Sequence, residues 1–380
     1  MKSWIEISAA NLASNVTAIR EVSGAEVLAV IKADGYGHGA ASVAPLLAQA
    51  GVRWMGVTDV EEGRVVREVV GPAIDLLVMN VIELADAAEV VRWRLTPSVW
   101  TSKHVAALDA AANEAGAKDI AVHVEVDTGM SRQGAAPGEG LVAVLEAIKR
   151  SKHVRCDGVF THLAESEVAA SVVTADQRAR FGEALQQVRE AGLTPHWLHM
   201  GNSSAVDEGS TMPWIHEQAK SFGSRVIVRP GYATYGHCLP VVNGTGKLVQ
   251  KLKPAMEWKT CVIGLRSIAP GTTVGYGATF AAGHEMQLAL LPVGYADGFR
   301  RAASSGLGNG WVMIAGRRAP VVGRVSMNLL VVDVTGHNGV ALGDDATLLG
   351  EGVSAEDHGV WANTIGYDIL CGMRGHMVVR

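Results

Sequence analysis

The first 240 residues alternate short apolar runs with longer amphipathic stretches, and this alternation restricts the chain to few folds. Strands are predicted at residues 26–32, 54–58, 75–80, 96–99, 120–126, 156–161, 196–199 and 226–229. Helical patterns separate them, for example at 40–50, 59–70, 102–116, 137–151 and 174–191. Strands that alternate with helices form a parallel sheet buried on both faces. Eight such units in about 220 residues predict an α/β fold of the (β/α)8 TIM-barrel type; an open, doubly wound sheet is the alternative, because periodicity does not show closure.

The sequence after residue 240 has a different pattern of residues. Glycine separates valine-rich segments, and helical periodicity becomes weak. These segments, at 257–266, 286–293, 311–314, 319–334 and 345–349, predict a mainly β C-terminal domain with one helix near 354–363. We therefore predict a barrel over residues 10–240 and a β domain over 241–380. The strand-like stretch 4–7 precedes the first helix, which makes residues 1–9 a candidate to join the β domain.

Composition excludes several classes of protein. Lysine and arginine total 33 against 38 acidic residues, so no basic excess favours nucleic acid or an anionic membrane. No apolar run is long enough to span a membrane, and the N-terminus has no apolar signal core. The four cysteines are widely spaced without a CxxC pair, which indicates thiols of a reducing compartment rather than disulfides or a metal site. We expect a cytoplasmic enzyme that acts on a small molecule.

The segment that says most about chemistry is VLAVIKADGYGHG, in which a predicted strand ends at Lys32 and a glycine-rich turn follows. Barrels carry their active residues at the C-terminal ends of strands. Partial desolvation there makes a lysine amine nucleophilic. Gly35, Gly37 and Gly39 let the backbone approach a ligand closely, and Tyr36 can hydrogen-bond a phosphate. The alternative is a surface lysine in a polar loop.

This segment resembles the pyridoxal phosphate (PLP) attachment motif of the alanine racemase family, and the resemblance extends over essentially the whole chain. It implies that Lys32 carries PLP and that Tyr36 contacts the PLP phosphate. VDTGMSRQG places Arg132 where the family's arginine contacts the PLP phenolic oxygen and the substrate carboxylate. FTHLAE places His162 against the cofactor.

Two later motifs resemble the family's phosphate-binding loops. LHMGNSSA and VRPGYATYG supply His199, Asn202, Ser203, Arg229, Gly231 and Tyr232. Backbone amides and hydroxyls in these loops look like the phosphate cradle that follows the last two strands of a barrel. Taken singly, His199 would more often be a structural histidine and Ser203 a helix N-cap. The order and spacing of the motifs carry the resemblance.

The predicted β domain contains further motifs of the family. VGYGATF resembles the segment with the catalytic tyrosine, which implies Tyr276 as a second base. The resemblance also places Tyr295 and Met327 at the substrate entrance and Tyr367 near the cofactor. By default, a tyrosine in a β domain is core or interface material. In the family the catalytic tyrosine comes from the partner subunit, so the resemblance implies a homodimer with shared active sites.

The resemblance implies a PLP-dependent racemase that interconverts L-alanine and D-alanine with two bases, Lys32 for the D-substrate and Tyr276 for the L-substrate. His199 is expected to hydrogen-bond Tyr276, with Arg229 behind it. D-alanine is a peptidoglycan precursor, and biosynthetic and catabolic roles both stay open. Alternatives are a serine or broad-specificity racemase of the same fold and a non-catalytic PLP carrier, which would lack the β domain. No GxGxxG follows the first strand, which argues against a dehydrogenase.

Three positions depart from the family pattern. Glu125 stands where many members have a carbamylated lysine, and our hypothesis is that its carboxylate supplies the same negative charge to Arg132. Asn328 replaces the aspartate that usually follows the methionine, which removes one negative charge near the substrate. The C-terminus reads CGMRGHMVVR in place of the family's usual ending. These departures bear on the choice of amino acid more than on the type of reaction.

Overall fold

The structure is a computed structural model and describes residues 2–80 and 82–380. Contacts between residues divide it into two compact units. The barrel unit comprises Ala10–Gly35 and Ala40–Lys253, and the β unit comprises the described residues up to Ala9, Tyr36–Gly39 and Pro254–Arg380. The predicted boundary between residues 240 and 241 stays a prediction.

The strands and helices of the first 240 residues lie close to the predicted ones. The strands are β1 (Ser3–Ile7), β2 (Glu26–Val30), β3 (Trp54–Val57), β4 (Asp75–Val78), β5 (Thr96–Val99), β6 (Ile120–Glu125), β7 (Val154–Phe160), β8 (Trp197–His199), β9 (Arg225–Val228), β10 (Met256–Cys261), β11 (Gly264–Ile268), β12 (Thr273–Val274), β13 (Phe280–Ala281), β14 (Met286–Leu291), β15 (Trp311–Ile314), β16 (Arg317–Pro320), β17 (Leu330–Asp333), β18 (Asp345–Leu349) and β19 (His376–Val379). The α-helices are α1 (Ala9–Ser23), α2 (Ala40–Gln49), α3 (Val60–Val70), α4 (Ala87–Arg92), α5 (Ser102–Ala115), α6 (Glu139–Arg150), α7 (Val172–Glu190), α8 (Ser203–Glu208), α9 (Thr211–Phe222), α10 (Ala355–Ala362) and α11 (Gly366–Gly372).

The described residues of the barrel unit form a closed barrel of eight parallel strands in the order β2-β3-β4-β5-β6-β7-β8-β9. Leu28 of β2 lies opposite Trp54 of β3, and Glu26 lies opposite Ile227 where β9 returns to β2. Every residue of β3 and of β5 is buried, as expected of parallel strands covered by helices. The closed order confirms the predicted TIM-type barrel and excludes the open sheet.

Capping residues set where the barrel helices begin and end. Asp59 caps α3 by accepting a hydrogen bond from the Glu62 N–H (2.9 Å), and Thr101 caps α5 by accepting one from the His104 N–H (3.3 Å). Helix α5 stops at Gly116, whose φ of 65° lies in the left-handed region that favours glycine. Within the described ranges, none of the helices combines the length and apolarity needed to cross a membrane.

The β unit consists mainly of antiparallel strands, which confirms the predicted type of C-terminal domain. Its largest sheet has the order β16-β15-β18-β10-β1-β19, and β11, β14 and β17 form a second sheet. Strand β1 lies between β10 and β19, with Ser3 opposite Thr260 and Trp4 opposite His376. The first and last strands of the chain therefore pair side by side.

Two segments predicted as continuous strands are divided in the structure. The segment 257–266 forms β10 and β11, which belong to different sheets, and 319–334 forms parts of β16 and β17. Between β16 and β17 the chain turns at Gly323, whose φ is 72°. The valine-rich pattern does not mark these breaks, because valine also occurs in the connecting residues, at Val262, Val321 and Val322. Helix α11 follows the predicted helix near 354–363 and has no counterpart in the prediction.

A buried arginine holds together the loops next to β4 and β5. Arg67 of α3 is only 9% exposed, and its guanidinium donates to the carbonyl oxygens of Trp93 (3.0 Å), Gly71 (2.6 Å), Ile74 (2.6 Å) and Arg94 (2.7 Å). Because Arg67→Lys cannot reach all four carbonyls, we expect it to lower the free energy of unfolding by about 3 kcal/mol. Urea denaturation monitored by circular dichroism measures this change.

Arg64 on the same helix provides the matched control. Its side chain lies at the surface and pairs with Glu61 and Glu68. Surface ion pairs contribute little, so Arg64→Lys should change the free energy of unfolding by less than about 1 kcal/mol. Equal effects of the two substitutions would show that the four carbonyl contacts of Arg67 do not stabilise the loops.

Candidate functional site

The C-terminal ends of the barrel strands carry most of the residues singled out in the sequence. Lys32 follows β2, Glu125 ends β6, His162 follows β7, His199 ends β8 and Arg229 follows β9. Because the strands are parallel and the barrel is closed, these positions lie around one end of the barrel. The fold therefore brings five residues from distant parts of the chain to the same rim.

The turn after Lys32 has an unusual backbone. Ala33, Asp34 and Tyr36 have φ angles of 51°, 53° and 54°, and Gly35 between them has 63°. These values describe a left-handed turn, which costs a residue other than glycine about 1–2 kcal/mol. The sequence predicts a glycine-rich turn here, but not that its non-glycine residues adopt this conformation. Lys32 itself is partly buried at the start of the turn.

The end of the turn packs against α11. A Cβ atom on Gly37 would collide with the carbonyl oxygen of Leu370, so at this glycine the close approach is to protein backbone. The ring of Tyr36 lies 6.1 Å from the ring of Tyr367 in α11. Burial, and then the neighbouring Tyr367 and Cys371, raises the pKa of Tyr36, which keeps its hydroxyl protonated and able to donate a hydrogen bond.

Arg229 and His162 form a buried pair at the rim. The Nη2 atom of Arg229 donates to the carbonyl oxygen of Thr161 (2.8 Å) and lies 3.3 Å from Nδ1 of His162. The guanidinium stacks 4.8 Å above the ring of Phe160. Its other terminal nitrogen, Nη1, is buried and has no hydrogen-bond partner among the described residues. One strong donor at this rim is thus available to a ligand.

Burial and neighbouring charges together determine the protonation of this pair. Burial lowers the pKa of Arg229 to about 10, which leaves the guanidinium protonated at neutral pH. Burial, followed by the positive charges of Arg229, Arg132 and Lys32, lowers the pKa of His162 to about 3. A neutral imidazole can accept a hydrogen bond from the guanidinium, so these two states are compatible. Three cationic side chains surround one neutral histidine.

His199 is buried among aromatic rings, and its expected hydrogen bond to Tyr276 stays a prediction. It is fully buried, its ring stacks on Phe160 (centroids 4.9 Å apart), and the ring of His123 lies 4.8 Å away. Burial lowers its pKa far below the usual value, and neither ring nitrogen has a hydrogen-bond partner in the described part of the chain. The hydrogen bonds of Arg229 reach Thr161 and His162 instead. His162 is therefore the histidine that Arg229 orients.

The loops after β8 and β9 are joined by hydrogen bonds. Asn202 caps α8 by accepting from the Ala205 N–H (2.9 Å), and Oγ of Ser203 accepts from the Ala233 N–H (3.1 Å) in the next loop. Tyr232 starts a short 3-10 turn after Gly231, and its side chain is buried. The first N–H groups of a helix have no partner within it, so α8 presents donors at this rim.

Glu125 is a buried carboxyl group at the same rim. It is 2% exposed, and Oε2 accepts from Nε2 of Gln133 (2.7 Å), which also donates to the carbonyl oxygen of Met79 (2.9 Å). Burial raises the pKa of Glu125 to about 7, although the positive charges of Arg229 and Arg132 act in the opposite direction. Among the described residues, Glu125 and Arg132 form no ion pair, so the charge effect between them acts through space.

Stability should therefore depend on pH through Glu125. The folded state keeps a proton on this carboxyl group that the unfolded state releases above its ordinary pKa of 4.5. The wild-type chain thus loses stability as pH rises from 4.5 to about 7. Glu125→Gln has no carboxyl group here to ionise. Its free energy of unfolding therefore rises by up to about 3 kcal/mol relative to wild type over this window. Urea denaturation between about pH 5 and about pH 8 measures the gain.

The control for this experiment is Glu139→Gln. Glu139 lies exposed at the start of α6, where water solvates its carboxylate. Its substitution should shift stability by a similar amount at each pH. A pH-independent difference between wild type and Glu125→Gln would mean that the buried carboxyl group is ionised throughout.

Other candidate residues lie together in loops of the β unit. Tyr276 stands in a turn between β12 and β13 and is 71% exposed, and Tyr295 and Met327 are 43% and 56% exposed. The Tyr295 N–H donates to the Ser326 carbonyl (3.1 Å), and the Ala296 N–H donates to the Met327 carbonyl (3.0 Å). These bonds fasten the Tyr295 turn to the Met327 loop.

The Met327 loop also reaches the segment that carries Tyr276. A Cβ atom on Gly323 would lie 2.6 Å from the carbonyl oxygen of Val274, and one on Gly275 would lie 3.2 Å from the nitrogen of Arg324. The three candidate side chains therefore belong to loops in mutual contact. Their exposure is unusual for an aromatic and a thioether group and leaves them accessible to a partner or a ligand.

Gln177 supports the rim and was not among the candidates. It is buried in α7, and Nε2 donates to Oγ1 of Thr128 (3.1 Å) and to the carbonyl oxygen of His162 (2.9 Å). Its Oε1 accepts from the Ala164 N–H (2.8 Å). It thus joins the loops after β6 and β7. A single glutamine in a helix gives no sequence signal for such a role, because only the folded barrel brings the two loops together.

Both halves of the chain match one family. Residues 7–238 match the profile described as "Alanine racemase, N-terminal domain", and residues 255–380 match "Alanine racemase, C-terminal domain". A protein of Symbiobacterium thermophilum described as alanine racemase is 35% identical over 375 residues, which cover 97% of this chain and 94% of that protein.

Solved structures resemble the chain over its whole length. An alanine racemase of Clostridium difficile 630 matches with a TM-score of 0.89 and 28% identity, covering 100% of this chain and 96% of the other. An alanine racemase of Bartonella henselae, solved with covalently bound pyridoxal phosphate, matches with a TM-score of 0.84 and 25% identity over 100% of both chains. The resemblance includes both the barrel and the β domain.

Proposed function

The chain belongs to the alanine racemase family, and on this premise we propose that it is a PLP-dependent racemase that interconverts L-alanine and D-alanine. The observation that carries the proposal is the rim arrangement of Lys32, His162 and Arg229, in which a lysine at a strand end lies near a buried, protonated guanidinium and a neutral imidazole. Amino-acid racemisation is the chemistry that the family match supports.

The donors at the rim fit PLP. The buried Nη1 of Arg229 has no hydrogen-bond partner among the described residues, and an aromatic nitrogen is a suitable acceptor for it. An amine on Lys32, hydroxyls on Tyr36 and Ser203 and the first N–H groups of α8 suit an aldehyde and a phosphate. When bound, PLP supplies the electron sink that makes the α-proton of an amino acid acidic enough for a side-chain base.

We assign the residues as follows. The groups that would hold PLP are Lys32, Tyr36, His162, His199, Asn202, Ser203, Arg229, Gly231, Tyr232 and Tyr367. The groups that would hold the substrate are Arg132, Tyr295 and Met327. No cluster of three or more metal-binding side chains occurs in the described ranges, and the proposed reaction uses none.

Racemisation requires proton transfer on both faces of the α-carbon, so two opposed groups are needed. Lys32 removes or returns the proton on the face exposed in D-alanine, and Tyr276 does so on the face exposed in L-alanine. The high exposure of Tyr276 suits a residue that completes its site in another subunit. We therefore propose a homodimer in which each active site takes Lys32 from one chain and Tyr276 from the other.

Arg229 argues for racemisation over other PLP chemistry. Its guanidinium keeps its proton at neutral pH, and His162 and Thr161 fix its position. With PLP bound, this permanent cation would oppose protonation of the pyridine nitrogen and would limit the electron sink. Side reactions that need a strong sink, such as transamination, are thereby suppressed. A decarboxylase of related fold would place a carboxylate at this position.

The choice of amino acid depends on residues that depart from the family pattern. Asn328 is exposed next to Met327, and Glu125 is buried near Arg132, which would bind the substrate carboxylate. A serine or broad-specificity racemase is the alternative for this reason. If the carboxylate of Glu125 supports Arg132, Glu125→Gln raises the KM; an unchanged KM and kcat would contradict this role.

We place the enzyme in the cytoplasm as a source of D-alanine for peptidoglycan precursors. The described cysteines Cys156, Cys238, Cys261 and Cys371 form no disulfide, which fits a reducing compartment.

Chiral chromatography after incubation of the purified, PLP-loaded protein with a panel of L-amino acids tests the proposal. Formation of D-alanine alone supports an alanine racemase. Faster conversion of serine or larger amino acids supports the broad-specificity alternative. Bound PLP without any D-product would indicate a PLP carrier and contradict the proposal.

A further inference from the structure

Glu62 connects two strand ends of the barrel through its carboxylate. Its Oε1 atom accepts a hydrogen bond from the backbone N–H of Ala33 (2.7 Å). Its Oε2 atom accepts from both the N–H and the hydroxyl of Thr58 (2.8 Å each), the residue that follows β3. Glu62 itself stands in the first turn of α3. One side chain thus joins the loop after β2 to the loop after β3.

The hydrogen bond to Ala33 lies next to the proposed attachment point of PLP. Ala33 directly follows Lys32 and is the first residue of the left-handed turn that leads to Tyr36. Its conformation is unfavourable for a residue with a Cβ atom, so contacts from outside the turn must hold it. Two other bonds assist, from the Gly35 N–H to the Ile31 carbonyl (2.9 Å) and from the Ala40 N–H to Oδ1 of Asp34 (2.7 Å).

We propose that Glu62 is a positioning residue, whose carboxylate holds the left-handed turn so that the Lys32 amine and the Tyr36 hydroxyl stand at the spacing that PLP requires. This inference rests on the proposed function. The hydrogen bond of Glu62 to the Ala33 N–H acts on the backbone between these two groups. A rigid attachment turn lowers the cost of ordering the site when the cofactor binds.

A carboxylate is required because Glu62 accepts all three of its hydrogen bonds. The donors are the N–H of Ala33 and the N–H and hydroxyl of Thr58. A glutamine offers one oxygen and one NH2 group, and the NH2 group would face a backbone N–H. Glu62→Gln therefore leaves either Ala33 or Thr58 without its acceptor. Hydrogen bonds to an ionised group are also stronger than those to a neutral amide.

The test is the affinity of Glu62→Gln for PLP, measured by equilibrium dialysis with the visible absorbance of the bound cofactor as readout. We expect a dissociation constant about tenfold higher than in wild type, equivalent to about 1.4 kcal/mol. Glu61→Gln is the matched control. Glu61 is the preceding residue on the same helix, and its exposed carboxylate pairs with Arg64 instead. It should bind PLP as wild type does.

A second substitution separates positioning of the turn from general support of the barrel. Ala33→Gly removes the penalty of the left-handed conformation, because glycine adopts it freely. In the Glu62→Gln background it should recover about threefold of the lost affinity. Thr58→Val, which removes only the hydroxyl contact to Glu62, should leave PLP affinity within about twofold of wild type.

The outcomes distinguish this inference from the proposed function. If wild type binds no PLP, both the positioning role of Glu62 and the proposed function are overturned. If wild type binds PLP and Glu62→Gln binds it equally well, only the positioning role is overturned. A loss of affinity that Ala33→Gly does not reduce, or one that Thr58→Val reproduces in full, also overturns it. Should Glu62→Gln fail to fold, Glu62→Asp, whose shorter side chain cannot reach both loops, is expected to weaken PLP binding in its place.

Discussion

Replacement of Lys32 by alanine is expected to abolish racemisation, with a loss of about ten-thousandfold or more, because the substitution removes both the covalent link to PLP and one of the two proton-transfer groups. The rim geometry makes this effect specific. Lys32 follows β2 at the rim where Arg229 and His162 meet, and no neighbouring lysine from the described strand ends replaces it. Chiral chromatography measures the D-alanine formed.

Mass spectrometry and a control variant complete this experiment. Borohydride reduction followed by mass spectrometry should attach PLP to wild type at Lys32 and should leave Lys32→Ala unlabelled. Lys118→Ala removes an exposed lysine from the loop before β6 and should retain full activity and labelling. Racemisation by Lys32→Ala at more than about one hundredth of the wild-type rate would contradict the assignment of Lys32 as a catalytic base.

Tyr276→Phe is expected to lower kcat/KM for racemisation by about a thousandfold, because only the hydroxyl that transfers a proton is lost. The equilibrium constant between mirror-image substrates is one, so both directions must slow equally. Exchange of the α-proton with deuterium from the solvent distinguishes the two bases. In D2O the variant should still exchange the α-proton of D-alanine through Lys32, while exchange on L-alanine falls with the racemisation rate.

Tyr295→Phe is the matched control, since Tyr295 is also an exposed tyrosine of the β unit. As a substrate-entrance residue it should change the KM by less than about tenfold and preserve exchange from both enantiomers. Equal slowing of exchange from both enantiomers in Tyr276→Phe would contradict its role as the L-specific base. It would instead indicate a role in binding.

Mixing the two inactive variants tests whether the active sites are shared. A heterodimer of Lys32→Ala and Tyr276→Phe contains one site with both residues replaced and one site with both intact. Random mixing would therefore restore about a quarter of the wild-type sites. If each site is built from a single chain, mixing restores nothing, and the proposed homodimer arrangement is wrong.

The barrel could be predicted from the sequence because buried parallel strands are short apolar runs between amphipathic helices, and this pattern is local. The position of the rim residues Lys32, His162 and Arg229 could be predicted for the same reason, since each lies at the end of a predicted strand or directly after it. Their identity as a PLP site depended on the family resemblance. The assignment of these residues to PLP and substrate stays a prediction.

What could not be predicted depends on distances across the barrel. Arg229 lies within hydrogen-bond distance of His162, whereas the ring of His199 stacks on Phe160, although both histidines lie at the ends of predicted strands. The contacts of Gln177 and Glu62 join loops that are remote in sequence. The residue type also does not predict the left-handed conformation of Ala33, since alanine favours the right-handed helix.

The pairing of β1 with β10 and β19 has a consequence for the way the chain is made. Ser3 is synthesised long before its partner Thr260, and the neighbouring strand β19 follows later still. The barrel strands can close as soon as β9 is complete, whereas β1 stays unpaired until β10 and β19 have been synthesised. An unpaired strand edge invites association with other chains. The N-terminal strand is thus the segment for which chaperones and rapid completion of synthesis matter most.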